Sequence, residues 1–171
     1  MRWKSGKRTV VLALLLALLP GLRVAWAWEH VHYLKDVEHK VFRLTNDVRR
    51  DHHLMPLSRD TTLIDIARAH SDDMLKHNYF SHVSPTGQSV KDRVAPAYSR
   101  TLSRAGENIW GGHGYDYSDS TLMARVIVDS WMSSPGHRAN LLNPHYNYMG
   151  VGVAVMGQEI RATQEFVQRH W

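Results

Sequence analysis

Met149-Gly150-Val151-Gly152-Val153-Ala154-Val155 alternates large and small side chains with a period of two, which is the pattern of a β-strand. Met149, Val151, Val153 and Val155 make one apolar face. The glycines leave the other face nearly bare, so a second layer can approach the backbone closely. Gly157 fits a tight connection, and Ile160 to Val167 can return as the partner strand of a hairpin. Upstream the period changes to that of a helix. Val37, Val41, Leu44 and Val48 form one stripe within a helix predicted over residues 30–50. Leu63, Ile66, Ala67, His70 and Met74 form another, on a helix capped by Asp60 or Thr61 and running to about Asn78. Ser89 and Asp92 read as a capping box opening a short helix before Pro96. Met123, Val126, Ile127, Ser130 and Trp131 share a face of a helix that starts at Ser120 or Thr121 and stops at Pro135-Gly136. Gly111-Gly112-His113-Gly114 lacks the spacing and the Lys-Ser/Thr pair of a phosphate loop, and is expected to be a flexible connection. Helices first and strands last predict an α+β domain with helices packed on a mainly antiparallel sheet.

The N-terminus belongs to a different problem. Arg2, Lys4, Lys7 and Arg8 precede the unbroken apolar run Val10 to Leu19, Pro20-Gly21 breaks it, and Ala25-Trp26-Ala27 is a small-x-small cleavage pattern. Residues 1–27 therefore read as a secretory signal peptide, and the run is shorter than the roughly 20 residues a bilayer span needs. Residues 28–171 are then one domain, exported to the periplasm or the extracellular space, with no stable membrane span after cleavage. Of the 21 Lys and Arg residues, five (Arg2, Lys4, Lys7, Arg8, Arg23) lie before Ala27, and the rest balance the 16 Asp and Glu. The basic excess thus resides in the targeting segment and gives no support for nucleic-acid binding. The chain has no cysteine. That excludes a thiol nucleophile, a thiolate metal site and disulfide staples, so the core alone must hold the domain together.

Three distant segments carry the chemistry: Ser81-His82-Val83-Ser84-Pro85-Thr86-Gly87, Gly106-Glu107-Asn108 and Ser133-Ser134-Pro135-Gly136-His137-Arg138. Each sets a titratable side chain beside turn-forming residues. Three readings are open for His82, Glu107 and His137. Two neutral imidazoles, His82 and His137, can hold Zn²⁺ or another divalent cation with open positions, although no motif requires a cofactor. Glu107 can orient a histidine that acts as a general base, with Ser81, Ser84 or Ser134 as nucleophile, in a hydrolase of peptide or ester bonds. The three side chains can also simply hydrogen-bond one another and fix irregular loops. His70, on an apolar stripe, is expected to be a core histidine satisfied by one hydrogen bond. Asn108 is expected to tie down turn backbone, and Arg138 to pair with a carboxylate.

In order, the chain contains Asn46-Asp47-Val48-Arg49, Leu54-x-Pro56-Leu57, Ala67-x-x-His70-Ser71-x-x-Met74, Phe80-Ser81-His82 and Gly106-Glu107-Asn108. Trp131-x-x-Ser134-Pro135-Gly136-His137-Arg138, Gly150-Val151-Gly152 and Thr163-Gln164-x-Phe166 follow. This series resembles the CAP superfamily of cysteine-rich secretory, antigen 5 and pathogenesis-related proteins, in its bacterial, cysteine-free SCP-like form, over a core of residues 38–168. The resemblance implies an α-β-α sandwich with a surface cleft lined by two histidines and two acidic residues. His82, Glu107 and His137 match three of those positions. The fourth falls near Ser134, where the carboxylate is absent. It further implies binding of a lipid, a cell-envelope component or a partner protein at the cleft His82, Glu107, Ser134 and His137, rather than an established reaction.

Overall fold

The computed structural model describes residues 30–170. The signal-peptide reading, which falls on residues 1–27, lies outside them. The elements run β1 (His32–Tyr33), α1 (Lys35–Asp51), β2 (Ser58–Arg59), α2 (Thr61–Lys76), α3 (Val90–Tyr98) and β3 (Leu102–His113). They continue with α4 (Ser120–Ser133), α5 (Pro135–Leu141), β4 (Tyr148–Met156) and β5 (Glu159–Arg169). The sheet order is β1-β4-β5-β3, antiparallel throughout, with β2 joining β4 in parallel. The expected hairpin is β4–β5, and Gly157 takes positive φ (61°) in its turn. Among the described residues no helix is long and apolar enough to cross a membrane.

The alternation in β4 sorts the two helical layers. Met149, Val151 and Val153 point to the face covered by α1, α4 and α5, where they pack with Val41, Ile127, Trp131 and Leu141. Trp131 is fully buried, and its indole N–H donates to the Ile109 carbonyl at 3.0 Å. Gly150 and Gly152 point to the other face, where α2 lies directly on the strand. A Cβ on Gly150 would fall 2.3 Å from the Leu63 carbonyl carbon, and one on Gly152 would fall 2.2 Å from the Arg68 nitrogen. α2 meets them with Leu63, Ala67 and Ser71, spaced four apart, and the Ser71 hydroxyl donates to the Gly152 carbonyl at 3.0 Å. The α-β-α sandwich is thus the fold.

Several boundaries differ from the sequence reading, each for a local reason. α1 begins at Lys35 rather than 30, because His32 and Tyr33 pair with Val155 and Ala154 at the sheet edge. Asp60 caps α2 through the Leu63 N–H (3.1 Å), and the Ser89–Asp92 capping box opens α3, but α3 continues through Pro96 instead of stopping before it. Pro135 does not open a loop. It starts α5, a position where its missing N–H costs nothing. Gly111-Gly112-His113 is not a flexible connection but the end of β3, paired with Arg161, Ile160 and Glu159. The missing side chains there let aromatic rings lie against the strand. Phe80 packs on Gly111, and a Cβ on Gly112 would meet the Trp110 ring at 2.4 Å and the Tyr115 ring at 2.7 Å.

Candidate functional site

β3 is an edge strand, and its neighbouring residues Glu107 and Asn108 face opposite sides of the sheet. Each side chain reaches the layer on its own face. Glu107 meets the loop after α2, and its Oε1 accepts from His82 Nδ1 at 2.6 Å. Asn108 meets α5, and its Nδ2 donates to the His137 carbonyl at 3.2 Å and to Gln164 Oε1 at 3.2 Å. Asn140 locks α5 further, donating to Asn108 Oδ1 (2.9 Å) and to the Glu107 carbonyl (3.0 Å). The two histidines therefore come from opposite helical layers and meet around the sheet edge, with ring centroids 6.3 Å apart.

The three predicted residues are brought together, and their electrostatics differ sharply. Glu107 is buried, with its other oxygen, Oε2, accepting from Arg93 Nη2 at 2.5 Å. Burial alone would raise its pKa, yet its hydrogen bonds and the Arg93 charge hold its carboxyl below the usual range. His82 keeps half its side chain exposed and points Nδ1 at Glu107, so in the neutral tautomer that donates Nδ1–H to the carboxylate Nε2 is the acceptor nitrogen. Partial burial and then the nearby His82 lower the pKa of His137, which favours the neutral imidazole. Ser134 sits at the joint of α4 and α5, and its hydroxyl makes no capping bond. The other serines serve the loop: Ser81 Oγ accepts from the Val83 N–H, and Ser84 Oγ is held by Thr86 and Gln88.

Two expectations need correction. Asn108 ties down α5 from within a strand rather than securing a turn. Arg138 is exposed to solvent and makes no ion pair among the described residues.

Sequence reasoning missed the groups behind Glu107. Arg93 also donates to the carbonyls of His82 (3.2 Å) and Gln88 (3.0 Å), so it anchors the loop and the carboxylate together. His70 is the buried histidine expected, with Nε2 3.1 Å from the Ser81 carbonyl, but it also lies 3.7 Å from Glu107 Oε2. Its desolvation outweighs the pull of Glu107 and lowers its pKa. Glu165 stands directly across β5 from Glu107, fully buried. Its oxygens find no hydrogen-bond donor of good geometry among the described residues, and Arg93 Nε is 3.8 Å away. Burial and the adjacent Glu107 charge push its carboxyl well above the usual range, so it retains its proton where an exposed carboxyl would not. A strand residue between Gln164 and Phe166 gives no motif signal. Only the cross-strand register with Glu107 exposes it.

A group with a raised folded pKa contributes its stability below its unfolded pKa and loses it as pH rises toward the folded value. Glu165→Gln mimics the protonated acid at every pH. Its stability relative to the unmodified chain should therefore climb by roughly 1 kcal/mol per pH unit above about pH 4.5, and level off once the folded value is passed. Urea unfolding at pH 5, 6.5 and 8 measures this, and a constant difference would place the proton elsewhere.

The model of the cysteine-rich secretory protein family matches residues 42–167. The chain belongs to this CAP family. Two proteins of Bacillus subtilis (strain 168) are similar to it: YkwD, 40% identical over 130 residues, and YlbC, named as a membrane protein, 39% identical over 132. The matches cover 76% and 77% of this chain but only 46% of YkwD and 34% of YlbC, so this chain corresponds to part of each. A solved structure of an extracellular SCP-domain protein from Bacillus anthracis superposes with a TM-score of 0.65 at 36% identity, covering 78% of this chain and 41% of that one. This CAP domain therefore carries its histidine pair on a scaffold shared with longer bacterial proteins.

Proposed function

We propose that this CAP domain is an exported binding module that recognises its ligand at the His82–His137 pair, rather than a hydrolase. The observation that carries the reading is the full engagement of Glu107: one oxygen is held by His82 and the other by Arg93. A carboxylate so tied is a fixed anion that orients an imidazole, and with only 1% of its side chain exposed it is screened from a substrate proton. Ser81 and Ser84 are held within their own loop, and neither they nor Ser134 has a histidine or carboxylate hydrogen-bonded to its hydroxyl among the described residues, so no nucleophile stands activated. The outward groups are the two imidazoles, suited to a polar oxygen-rich feature of a lipid, a cell-envelope component or a partner protein. Export agrees with the N-terminal pattern and with the extracellular protein that this fold resembles.

Zn²⁺ or a similar cation fits this pair. His82 Nε2 and a ring nitrogen of His137 would hold it, with Glu107 behind His82 in the carboxylate–histidine arrangement that raises ligand basicity. No set of three His, Cys, Asp or Glu stands ready for a metal among the described residues, so the remaining positions would go to water or to the ligand. A bound cation would supply a Lewis-acid contact to a ligand oxygen.

Calorimetry of the chain with Zn²⁺ at pH 7.5 tests the site. Binding should disappear in His82→Ala and in His137→Ala, and weaken about tenfold to a hundredfold in Glu107→Gln. Protonation competes with metal, so affinity should fall at pH 5.5. Unchanged binding in both alanine variants would reassign the site. Turnover of peptide or ester substrates that Glu107→Gln abolishes, with folding intact, would restore the hydrolase reading.

A further inference from the structure

A cavity of about 490 Å³ lies away from the histidine pair, which does not line it. It is a groove between α2 and α3, closed at one side by the loop Ser84–Gln88, and its size is within the range of small-ligand sites. Ile66, Ala69, Pro85 and Pro96 supply apolar walls. The charges on its surface are unequal in what they can offer. Arg93 lines the groove, but its guanidinium is spent on Glu107 and on the carbonyls of His82 and Gln88. His70 lines it as well, kept toward the neutral form by burial. Asp73 and Asp92 are the carboxylates of the walls. Asp73 keeps 35% of its side chain exposed, shared with Tyr79 and His77, and Asp92 uses Oδ2 on Ser89 while Oδ1 has no partner among the described residues. The groove thus joins an apolar wall to a rim with two carboxylates, where Arg93 is engaged by Glu107 and His77 lies against Asp73 at 2.8 Å.

We infer that this groove binds a primary ammonium group carried on an apolar stem, the form a lysine side chain presents. The stem lies along Ile66, Ala69, Pro85 and Pro96, and the ammonium reaches Asp92 Oδ1 and the exposed side of the Asp73 carboxylate, whose two oxygens also meet Tyr79 and His77. A carboxylate-bearing ligand is excluded by the same two residues, and a neutral one forfeits the charge-assisted contacts. The site is separate from the histidine pair and does not rest on that reading. It shares only the Arg93 and His70 wall with Glu107.

The test uses amide NMR of the full domain titrated with n-hexylamine, n-hexanol and hexanoate at constant ionic strength. Hexylamine should saturate in the low-millimolar range, expected for so few atoms, and shift amides of the Ser84–Gln88 loop and of α3. Hexanol should bind about tenfold more weakly, and Asp73→Asn with Asp92→Asn should erase that preference. His82→Ala with His137→Ala should leave hexylamine binding unchanged, so failure of the metal site and failure of the groove are told apart. Equal affinity for hexanol, shifts centred outside the groove, or no saturation by hexylamine would each overturn the inference.

Discussion

Replacing Gly152 with alanine is expected to lower the melting temperature of this domain by about 10 °C. The new methyl would lie 2.2 Å from the Arg68 nitrogen and 2.5 Å from the Ala67 carbonyl carbon. Both are backbone atoms in the middle of α2, so no side chain can swing aside, and the helix must lift off the strand. Lifting it would strain the Ser71 bridge to Gly152 and to Thr163, as well as the Leu63 contacts with Val94, Tyr98 and Val167. Overpacking against a rigid neighbour costs about 3 kcal/mol, and a domain of this size loses roughly 3 °C per kcal/mol. Gly136→Ala is the matched control. A Cβ there meets nothing within 4 Å, and alanine suits a helix, so its melting temperature should hold or rise slightly. Equal behaviour of the two variants in thermal unfolding would mean that α2 is not seated as described.

Arg93→Met should be comparably damaging, for a charge reason rather than a steric one. Its guanidinium lies 2.5 Å from Glu107 and 3.8 Å from Glu165, with nine-tenths of its side chain buried. Removing it strands a buried carboxylate, which costs about 3–5 kcal/mol, more than the pair itself contributes. The loop loses its tether at the same time, because the His82 and Gln88 carbonyls lose their donor. The two causes separate by pH. Glu107 has a lowered folded pKa in the intact protein, so its contribution is present above the unfolded value and fades as pH falls. Without Arg93, Glu107 can escape its penalty by taking a proton, so the deficit should shrink between pH 7.5 and pH 5. Adding Glu107→Gln should recover part of the stability at pH 7.5. Denaturant unfolding of the single and double variants checks both, and a deficit independent of pH would assign Arg93 to loop anchoring alone.

What could be read without coordinates followed the strength of local signals. The β4 alternation, the Asp60 cap and the Ser89–Asp92 box each depend on residues near one another in the chain, and each appears in the structure. His82, Glu107 and His137 were legible because they stand in ordered motifs, and the structure gathers them. Arg93 and Glu165 were not, since their roles arise from cross-strand register and from helix placement that no nearby residue encodes. The Gly111-Gly112-His113 segment misled for the opposite reason. Its glycines resemble a loop, but here they make room for Phe80, Trp110 and Tyr115 against a strand.

The side chains that hold α4 and α5 against β3 also have a bearing on how this protein behaves in a crowded solution. The outer margin of β3 would otherwise present carbonyls ready to recruit a strand from another chain. Asn140 occupies the Glu107 carbonyl and Trp131 occupies that of Ile109, so the margin is sealed where the histidines meet. Loosening the Asn140 and Trp131 contacts would therefore unseal a sticky edge. The contacts that seat α4 and α5 beside the histidine pair thus also guard the sheet edge against strand addition.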